Sequence, residues 1–376
     1  MTAKNLVYFC IEIDSVFDSQ VLELLKAVIK RNIFKNVYLF LGLRTEEQKR
    51  QIKERELPEN LHLVFFRSYP NYAFFNVHLR RELLRVIKAN DLNVKESIIH
   101  TRGELLAWHL SKILNKEHHK NILADIRGAT VEETIEFQNL NYLKEYFKVW
   151  NKKKALGSLN RFEIVSAVSE TLKKYLVEGY KINPDKIFVV PCLAGENFNF
   201  DKLQRIVIRK ELNLAEKDVL IVFSTASSAL WQNNSVLKVL GDKEMKVLNL
   251  SRKQIQHENV INKFIDYCKM PLYLNAADIA IIWRDKSIVN KVASPVKFSE
   301  YLCCGLPVIS NDNIDLVKNI VTENRVGIIL NNINDVDEQA ILQILKIDRQ
   351  QISQVGQDNF GIDAILEKYR SIYSTF

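Results

Sequence analysis

The sequence of 376 residues has few glycines and few cysteines, and each shortage argues against a class of protein. Its 11 glycines are few for two nucleotide-type folds, and it has neither GxGxxG nor a Walker loop, which argues against dinucleotide or P-loop function. The five cysteines form no CxxC pair and no zinc-type Cys/His cluster, so we expect reduced, buried thiols. No apolar run reaches the roughly 18 residues of a membrane span, and no cleavage site follows the first apolar run, so we expect a cytoplasmic protein.

The net charge of +8 lies entirely in the first half of the chain. Residues 1–195 contain 31 Lys+Arg and 23 Asp+Glu, whereas the remainder contains 22 of each. A basic half can serve nucleic acid, an anionic membrane surface or a phosphorylated substrate. Basic segments such as HLRRELLRVIKAN have the spacing of solvated helix faces, and no motif of a nucleic-acid module is present. We therefore expect no nucleic-acid partner and leave peripheral binding at the inner face of a membrane open.

Short β-branched runs alternate along the chain with longer amphipathic stretches. Seven runs, from LVYFCIEI to IFVVP, are typical of strands, and a second series begins with VLIVFS. This alternation predicts doubly wound, parallel α/β sheets. The segment CLAGENFNFDKLQR interrupts the pattern, so we place a domain boundary near residues 192–204.

The segment SPVKFSEYLCCGLPVIS follows the apolar run DIAIIW, which predicts a loop and helix between two strands. Ser294 and Pro295 fit a helix start, with the proline in the first turn. Such a start directs backbone N–H groups at the carboxyl end of the sheet and suits a diphosphate. Lys297 and Glu300 share a helix face, so one would meet phosphate and the other ribose hydroxyls. The alternative is a surface ion pair.

This segment resembles the donor-site motif of retaining glycosyltransferases of family 4, the group 1 type, which have the GT-B fold. FVVPCLAGENFNF and LNAADIAIIW are similar to further segments of that family, in the same order. The resemblance implies two Rossmann-like domains facing across a cleft. It implies an acceptor-binding domain over residues 1–195, a donor-binding domain over 196–357, and a final helix, about 358–376, that crosses back onto the first domain.

The donor motif departs from the usual family pattern at its first glutamate. Glu300 matches the second glutamate, which binds the ribose of the nucleotide, whereas the first would fall at Val292. A subgroup with S-P-x-K-x-x-E-Y resembles this sequence closely.

That subgroup also tends to lack the Arg and Lys that grip the diphosphate after the first strand of the second domain, and here the segment reads FSTASSALWQNN. Lys297 and Arg284 are then the nearest candidates to meet the phosphate charge. Ser224, Thr225 and Ser227 are further donor-site candidates, and each fits an ordinary polar loop equally well.

Two strands of the first half end in Arg-Gly, where ligands bind in this architecture. Asp125 could assist the acceptor hydroxyl or the donor sugar and Arg127 a phosphate, or the two could form a structural pair that fixes the loop. Arg102 is an acceptor-site candidate with the same alternative. The loop IEIDSVFDSQ shapes the acceptor site in the family, which makes Asp14 a further candidate.

A metal site has little support in the sequence. The only DxD, Asp335-Val336-Asp337, begins a helical pattern, where first-turn acids favour the helix dipole. We expect no cofactor and no obligatory metal, with protein groups such as Lys297 stabilising the departing diphosphate.

Two other functions remain compatible with the departures from the motif. The first is a GT-B-like scaffold that binds a nucleotide sugar in a polysaccharide assembly complex without transferring it. The second is a GT-B-fold epimerase, which would need acid and base carboxylates and no acceptor. The leading hypothesis is a transferase that moves a sugar from a nucleotide-diphosphate sugar to a glycan or lipid-linked acceptor in cell-surface polysaccharide or glycoconjugate assembly.

Overall fold

The computed structural model describes residues 5–11, 13, 16–225 and 233–376, and the chain divides into two compact units. The first unit contains Met1–Val190 with Leu366–Phe376, and the second contains Pro191–Ile365. Each unit is built on one sheet whose strands are all parallel, with helices between most pairs of successive strands. The predicted doubly wound α/β architecture is confirmed.

The first unit has a seven-stranded sheet in the order β3-β2-β1-β4-β5-β6-β7. Its strands are β1 Asn5–Ile11, β2 Asn36–Leu43, β3 Leu61–Arg67, β4 Ser97–Arg102, β5 Ile122–Ile126, β6 Ile164–Ala167 and β7 Ile187–Val189. Its helices are α1 Glu23–Lys30, α2 Glu46–Lys53, α3 Asn76–Ala89, α4 Glu104–Leu110, α5 Thr130–Phe137, α6 Tyr142–Leu156 and α7 Glu170–Tyr180. The central strands are almost entirely buried because helices cover both faces of such a sheet, although β4 and β5 include polar residues such as His100 and Asp125.

The second unit has a six-stranded sheet in the order β10-β9-β8-β11-β12-β13. Its strands are β8 Leu220–Ser224, β9 Lys246–Leu250, β10 Val260–Lys263, β11 Ile279–Ile282, β12 Val308–Ser310 and β13 Gly327–Ile329. Its helices are α8 Lys202–Glu211, α9 Ser235–Asp242, α10 Met270–Ala276, α11 Ile288–Lys291, α12 Val296–Cys303, α13 Asp315–Asn324, α14 Glu338–Ile344 and α15 Arg349–Phe360. The last helix, α16 Ile362–Tyr373, begins in the second unit, and its residues from Leu366 onward belong to the first. The sequence reading missed β10, a four-residue edge strand with one fully buried residue.

The strands of the second sheet contribute residues to two separate hydrophobic cores. Leu220 and Val222 of β8 pack with α10, α12 and α15 on one face. Ile221 and Phe223 pack with α9 and α14 on the other. Because successive strand residues point to opposite faces, one apolar run supplies both cores.

Helices α12 and α15 approach each other closely at Gly356. A Cβ at this position would lie 2.8 Å from the Cα of Cys303, which is closer than real Cβ contacts come. The small residue therefore allows α15 to pack against the backbone of α12.

We expect Gly356→Ala to lower the free energy of unfolding of the second unit by about 1–3 kcal/mol, because the added methyl group overpacks the α12–α15 contact. Gly179→Ala in α7 is the matched control, since its Cβ would meet nothing within 4 Å. That substitution should raise stability slightly through helix propensity. Thermal unfolding of both variants checks the pair, and a Gly356→Ala protein as stable as the parent would contradict the close packing.

Candidate functional site

The carboxyl ends of neighbouring strands in the second unit carry three of the candidate donor residues. Ser224 and Thr225 stand at the end of β8, Arg284 follows β11, and Asn311 follows β12. Because β8, β11 and β12 are adjacent and parallel, these residues lie along one edge of the sheet. Ligands bind at this edge in open α/β sheets.

Arg284 is a buried cation with no carboxylate partner among the described residues. Its Nη1 donates to Asn290 Oδ1 at 3.2 Å, and its Nε is buried without a hydrogen-bond partner. Burial lowers the pKa of Arg284 to about 10, although the Cys192 thiol and the Tyr301 phenol act in the opposite direction. The guanidinium is therefore charged at neutral pH, and a buried, uncompensated charge of this kind is costly without an anionic partner.

Glu300 is the second unusual charge, and it lies at the middle of α12. The residue is fully buried, and its Oε2 accepts from Lys297 Nζ at 2.7 Å. Its Oε1 has no hydrogen-bond partner among the residues that the structure describes. Burial raises the pKa of the Glu300 carboxyl above its usual 4.5, and Lys297 opposes the shift. The alternative of a surface ion pair is therefore wrong, because the carboxylate is in the interior.

The sequence predicted that Ser294 would begin the helix, and this prediction is wrong. Pro295 occupies the N-cap position in an extended conformation and makes no side-chain cap, so the proline precedes the first turn. The Ser294 hydroxyl instead accepts from the backbone N–H of Cys192 at 3.0 Å, and Ser299 Oγ donates to the Cys192 carbonyl at 2.8 Å. Local pattern suggested a cap, but a segment distant in sequence provides a stronger partner for the hydroxyl.

Tyr301, Asn290 and Asn311 belong to this cluster and were not among the predicted site residues. The Tyr301 hydroxyl accepts from the backbone N–H of Ser224 at 2.8 Å, which joins α12 to the end of β8. Asn311 donates to the Arg284 carbonyl at 2.7 Å, and its Oδ1 is buried without a partner in the described chain. Its place directly after a strand was a signal that could have found it.

The structure thus brings together Ser224, Arg284 and Glu300 through their shared neighbour Tyr301. Thr225 lies beside Ser224, and its backbone N–H donates to the Leu250 carbonyl at 3.3 Å. Ser227 and Asp14 lie outside the described residues. Within the described part of the chain, no three His, Cys, Asp or Glu side chains converge in a way that could hold a metal ion. Asp337 caps α14 through the Ala340 N–H at 2.8 Å, which confirms capping for this part of the DxD.

In the first unit, Asp125 is a buried member of a polar chain. Its carboxylate accepts from Ser166 Oγ at 2.8 Å, lies 3.4 Å from Arg127 Nη1 and lies 3.6 Å from His100 Nε2. His100 Nδ1 is 2.8 Å from the hydroxyl of Tyr373 in α16. This arrangement favours the structural Asp-Arg pair over direct contact of Asp125 with a substrate.

Neighbouring positive charges keep the Asp125 carboxyl ionised despite its burial. Burial alone would raise the pKa of the Asp125 carboxyl, but Arg127, His100 and Arg102 outweigh it and hold the pKa below the usual 3.8. Arg127 also donates to Gln20 Oε1 at 3.3 Å, so its guanidinium joins β5 to the turn before α1.

Arg102, which is opposite Asp125 in the register of β4 and β5, also lies in the wall of a cavity of about 320 Å³ within the first unit. Three other cations line the cavity, namely Arg44, Lys148 and Lys152, against the single acid Glu104. The aromatic rings of Tyr69 and Phe75 form an apolar part of the wall. Cations beside aromatic surface can hold a polar or acidic sugar through hydrogen bonds and ring contacts.

Lys152 and Glu104 are fixed in that wall by Thr130. Lys152 Nζ donates to the Thr130 carbonyl and to Thr134 Oγ1, both at 2.7 Å, and Glu104 accepts from Thr130 Oγ1 at 2.6 Å. Burial lowers the pKa of Lys152, and nearby glutamates oppose the shift. The sequence predicted Arg102 as a site residue and gave no signal for the others, because Glu104, Lys148 and Lys152 lie on helices that no motif marks and Arg44 lies in the loop after β2.

Two family descriptions match parts of the sequence. "Glycosyltransferase Family 4" matches residues 19–193, and "Glucosyltransferase 3-like, C-terminal domain" matches residues 228–358. A search of curated proteins finds no match.

Solved glycosyltransferase structures share the fold over essentially the whole chain. A glycosyltransferase from Rickettsia africae is 16% identical with a TM-score of 0.71, covering 100% of this chain and 99% of that chain. WaaG, a glycosyltransferase involved in lipopolysaccharide biosynthesis, is 11% identical with a TM-score of 0.69, covering 98% and 99%. Anabaena HepE in complex with UDP-glucose is 12% identical with a TM-score of 0.68, covering 99% and 100%. The fold is GT-B, and together with the family 4 match it supports a glycosyltransferase.

The structural interpretation of Asp125 predicts a loss of stability in Asp125→Asn. Removing this charge leaves Arg127 without its buried partner, so the free energy of unfolding should fall by about 3–5 kcal/mol at pH 7. Because the pKa of Asp125 is lowered in the folded state, its stabilisation exists above pH 3.8 and disappears as the pH falls below that value. The difference between variant and parent should therefore shrink in acid.

Thermal unfolding between pH 3 and pH 7 measures this difference, with the exposed Asp185→Asn as the matched control. An Asp125→Asn protein that is as stable as the parent but has lost transfer activity would show that Asp125 acts on the substrate instead.

Proposed function

We propose that the chain is a retaining glycosyltransferase that takes a nucleotide-diphosphate sugar at the carboxyl edge of the second sheet. One observation carries the proposal. Arg284 Nε, Glu300 Oε1 and Asn311 Oδ1 are buried polar atoms at this edge without partners among the described residues. Buried polar atoms are nearly always paired, so an unpaired donor and unpaired acceptors in one place fit a ligand with both anionic oxygens and hydroxyls.

The proposed roles follow from the charge of each group. Glu300 accepts hydrogen bonds from ribose hydroxyls through its free oxygen. Arg284 and Lys297 meet the diphosphate and stabilise the negative charge that develops as the anomeric bond breaks. The hydroxyl groups of Ser224, Thr225 and Ser294 add donors around the same ligand. No step requires a metal or a cofactor, and the leaving phosphate itself takes the acceptor proton.

We further infer that the cavity of the first unit takes the acceptor, a glycan or lipid-linked saccharide. Its cations and aromatic rings support this role, and Arg102 is the contact predicted from the sequence. Arg127, held by Asp125, contributes positive charge in the same unit. The HepE structures contain UDP and UDP-glucose, so UDP-glucose is the first donor to test.

Arg284→Gln should weaken donor binding by about 1.5–3 kcal/mol, the range for hydrogen bonds to charged groups. It should not lower the unfolding temperature, because it removes a buried, uncompensated charge. Calorimetric titration with a panel of nucleotide sugars, beginning with UDP-glucose, measures the affinity. Arg325→Gln is the matched control, since Arg325 is exposed just before β13 at the opposite edge of the sheet.

The same panel separates the three functions considered for the chain. A transferase releases nucleoside diphosphate, and slow hydrolysis of the donor without acceptor should yield the sugar with the anomeric configuration of the donor. Binding without any turnover would indicate a scaffold, and conversion of the sugar within the intact donor would indicate an epimerase. Equal donor affinity of Arg284→Gln and the parent would remove this edge as the binding site.

Glu300→Gln should also weaken donor binding by about 1.5–3 kcal/mol, because an ionised acceptor is replaced by a neutral amide. The difference in stability between the parent and this variant should change with pH in a defined direction. Since burial raises the pKa of Glu300 above 4.5, the parent loses stability as the pH rises through the folded pKa, and the glutamine variant does not. The free energy of unfolding of the variant minus that of the parent should increase from pH 4 to pH 7. The exposed Glu323→Gln serves as control, and a pH-independent difference would contradict the buried, titrating carboxylate.

A further inference from the structure

Helix α6 of the first unit exposes the side chains that a surface helix normally buries. The residues concerned, with their exposed fractions, are Tyr142 80%, Leu143 65%, Tyr146 54%, Phe147 39% and Trp150 39%. Their sequence positions recur at helical spacing, so they form one continuous stripe. We call these five residues, with Lys153 and Lys154, the outer face of α6.

The outer face occupies one side of the helix only. At 3.6 residues per turn, its members fall within an arc of about 140°. Lys153 and Lys154 occupy the same arc in the last turn and are exposed. Asn151, Ala155 and Leu156 lie outside this arc and are buried. The buried side of the helix therefore contains both polar and apolar residues, whereas its solvent side is largely apolar. Packing of the helix in the first unit does not require an apolar solvent side.

A second exposed aromatic segment lies beside α6, on the side of the helix that carries Lys148. Phe74, which is 62% exposed, stacks on Tyr72 with ring centroids 5.6 Å apart. Lys148 Nζ of α6 lies 5.7 Å from the centroid of the Tyr72 ring. The outer face of α6 is a contiguous apolar surface of a kind that is uncommon on soluble proteins and marks an interaction site.

Charge distinguishes a bilayer from a protein partner for this surface. Helix α6 has five lysines and one glutamate, Glu145, which lies outside the outer arc. Lysine is depleted at protein–protein interfaces, whereas Tyr and Trp beside Lys are typical of helices that lie at a membrane surface. The half of the chain that contains α6 also carries the whole net charge of +8.

We propose that the outer face of α6 docks the protein on a lipid bilayer that contains anionic headgroups. The aromatic rings and Leu143 enter the boundary between headgroups and acyl chains, and Lys153 and Lys154 contact acidic headgroups. The described chain has no helix long and apolar enough to cross a membrane, so this contact is peripheral.

The opposite side of the same helix contributes Lys148 and Lys152 to the cavity that contains Arg102. On the proposed function, docking through α6 brings that cavity next to the headgroups of a lipid-linked acceptor. The docking itself does not depend on that function, because it is measured without donor or acceptor.

Vesicle co-sedimentation of the full chain tests the proposal, with phosphatidylcholine vesicles containing 25% phosphatidylglycerol and vesicles of phosphatidylcholine alone. The parent should bind the anionic vesicles, and binding should weaken with salt. Tyr146→Ser combined with Trp150→Ser should reduce binding about tenfold or more, because two aromatic anchors are lost. Lys153→Gln and Lys154→Gln should each reduce it about fivefold.

Leu203→Ser combined with Val207→Ser in α8 is the matched control, because these residues are as exposed and lie in the second unit. Its binding should equal that of the parent. All variants change exposed side chains, so equal unfolding temperatures exclude misfolding. Quenching of Trp150 fluorescence by brominated lipid, absent in Trp150→Phe, provides a direct readout of insertion.

Three results would overturn the proposal. One is equal vesicle binding by the parent and the Tyr146/Trp150 variant, and another is a complete absence of binding at low salt. The third is a parent that dimerises in light scattering while the Tyr146/Trp150 variant does not, which would assign the outer face to a second copy of the chain.

Discussion

The burial of two opposite charges, Arg284 and Glu300, at one edge of the second sheet is the constraint on which the candidate site depends. Each charge has lost most of its contact with water and retains a polar atom without a partner in the described chain. Folding by itself gains little from such groups, because Arg284 has no carboxylate partner among the described residues and burying the Glu300–Lys297 pair removes the carboxylate from water. The surrounding cores must supply that free energy, and a bound anion with hydroxyl groups would return it.

The position of these charges is fixed by contacts that contain no charge. Helix α12 is held to α15 at Gly356, to the end of β8 through Tyr301, and to the segment after β7 through Ser294 and Ser299. Each contact joins α12 to a different element. A side chain on α12 therefore has little freedom, and preorganised groups of this kind are what transition-state stabilisation requires.

Helix α6 shows the opposite arrangement, because its solvent side is left apolar. Its buried side is anchored by Asn151, which exchanges hydrogen bonds with Asn76, and by Lys152. This anchoring lets one helix form the wall of a cavity and at the same time display aromatic rings. The two sides together account for four of the five lysines of its sequence, because Lys148 and Lys152 line the cavity and Lys153 and Lys154 belong to the outer face.

Periodicity and the turn pattern determined much of the architecture. Apolar runs bounded by polar turns predicted the central strands of both sheets correctly, because a strand covered on both faces is predominantly apolar. The pattern of apolar runs did not predict the short edge strand β10, because an edge strand needs only one buried side. A strand end also made Ser224 a candidate, since in a parallel sheet the end of a strand is itself a position in space. Arg284 became a candidate because it is one of the two cations nearest the donor motif in the sequence.

Tertiary structure decided which groups meet and which are buried. No pattern in the sequence indicates that Ser294 accepts from Cys192, that Asp125 lies between Arg127 and His100, or that Tyr301 reaches Ser224. The aromatic residues of α6 have the same helical spacing whether they face a core or solvent. Helical spacing places residues on a common face, but the elements packed around a helix decide which face is covered, and that depends on contacts between residues far apart in the chain.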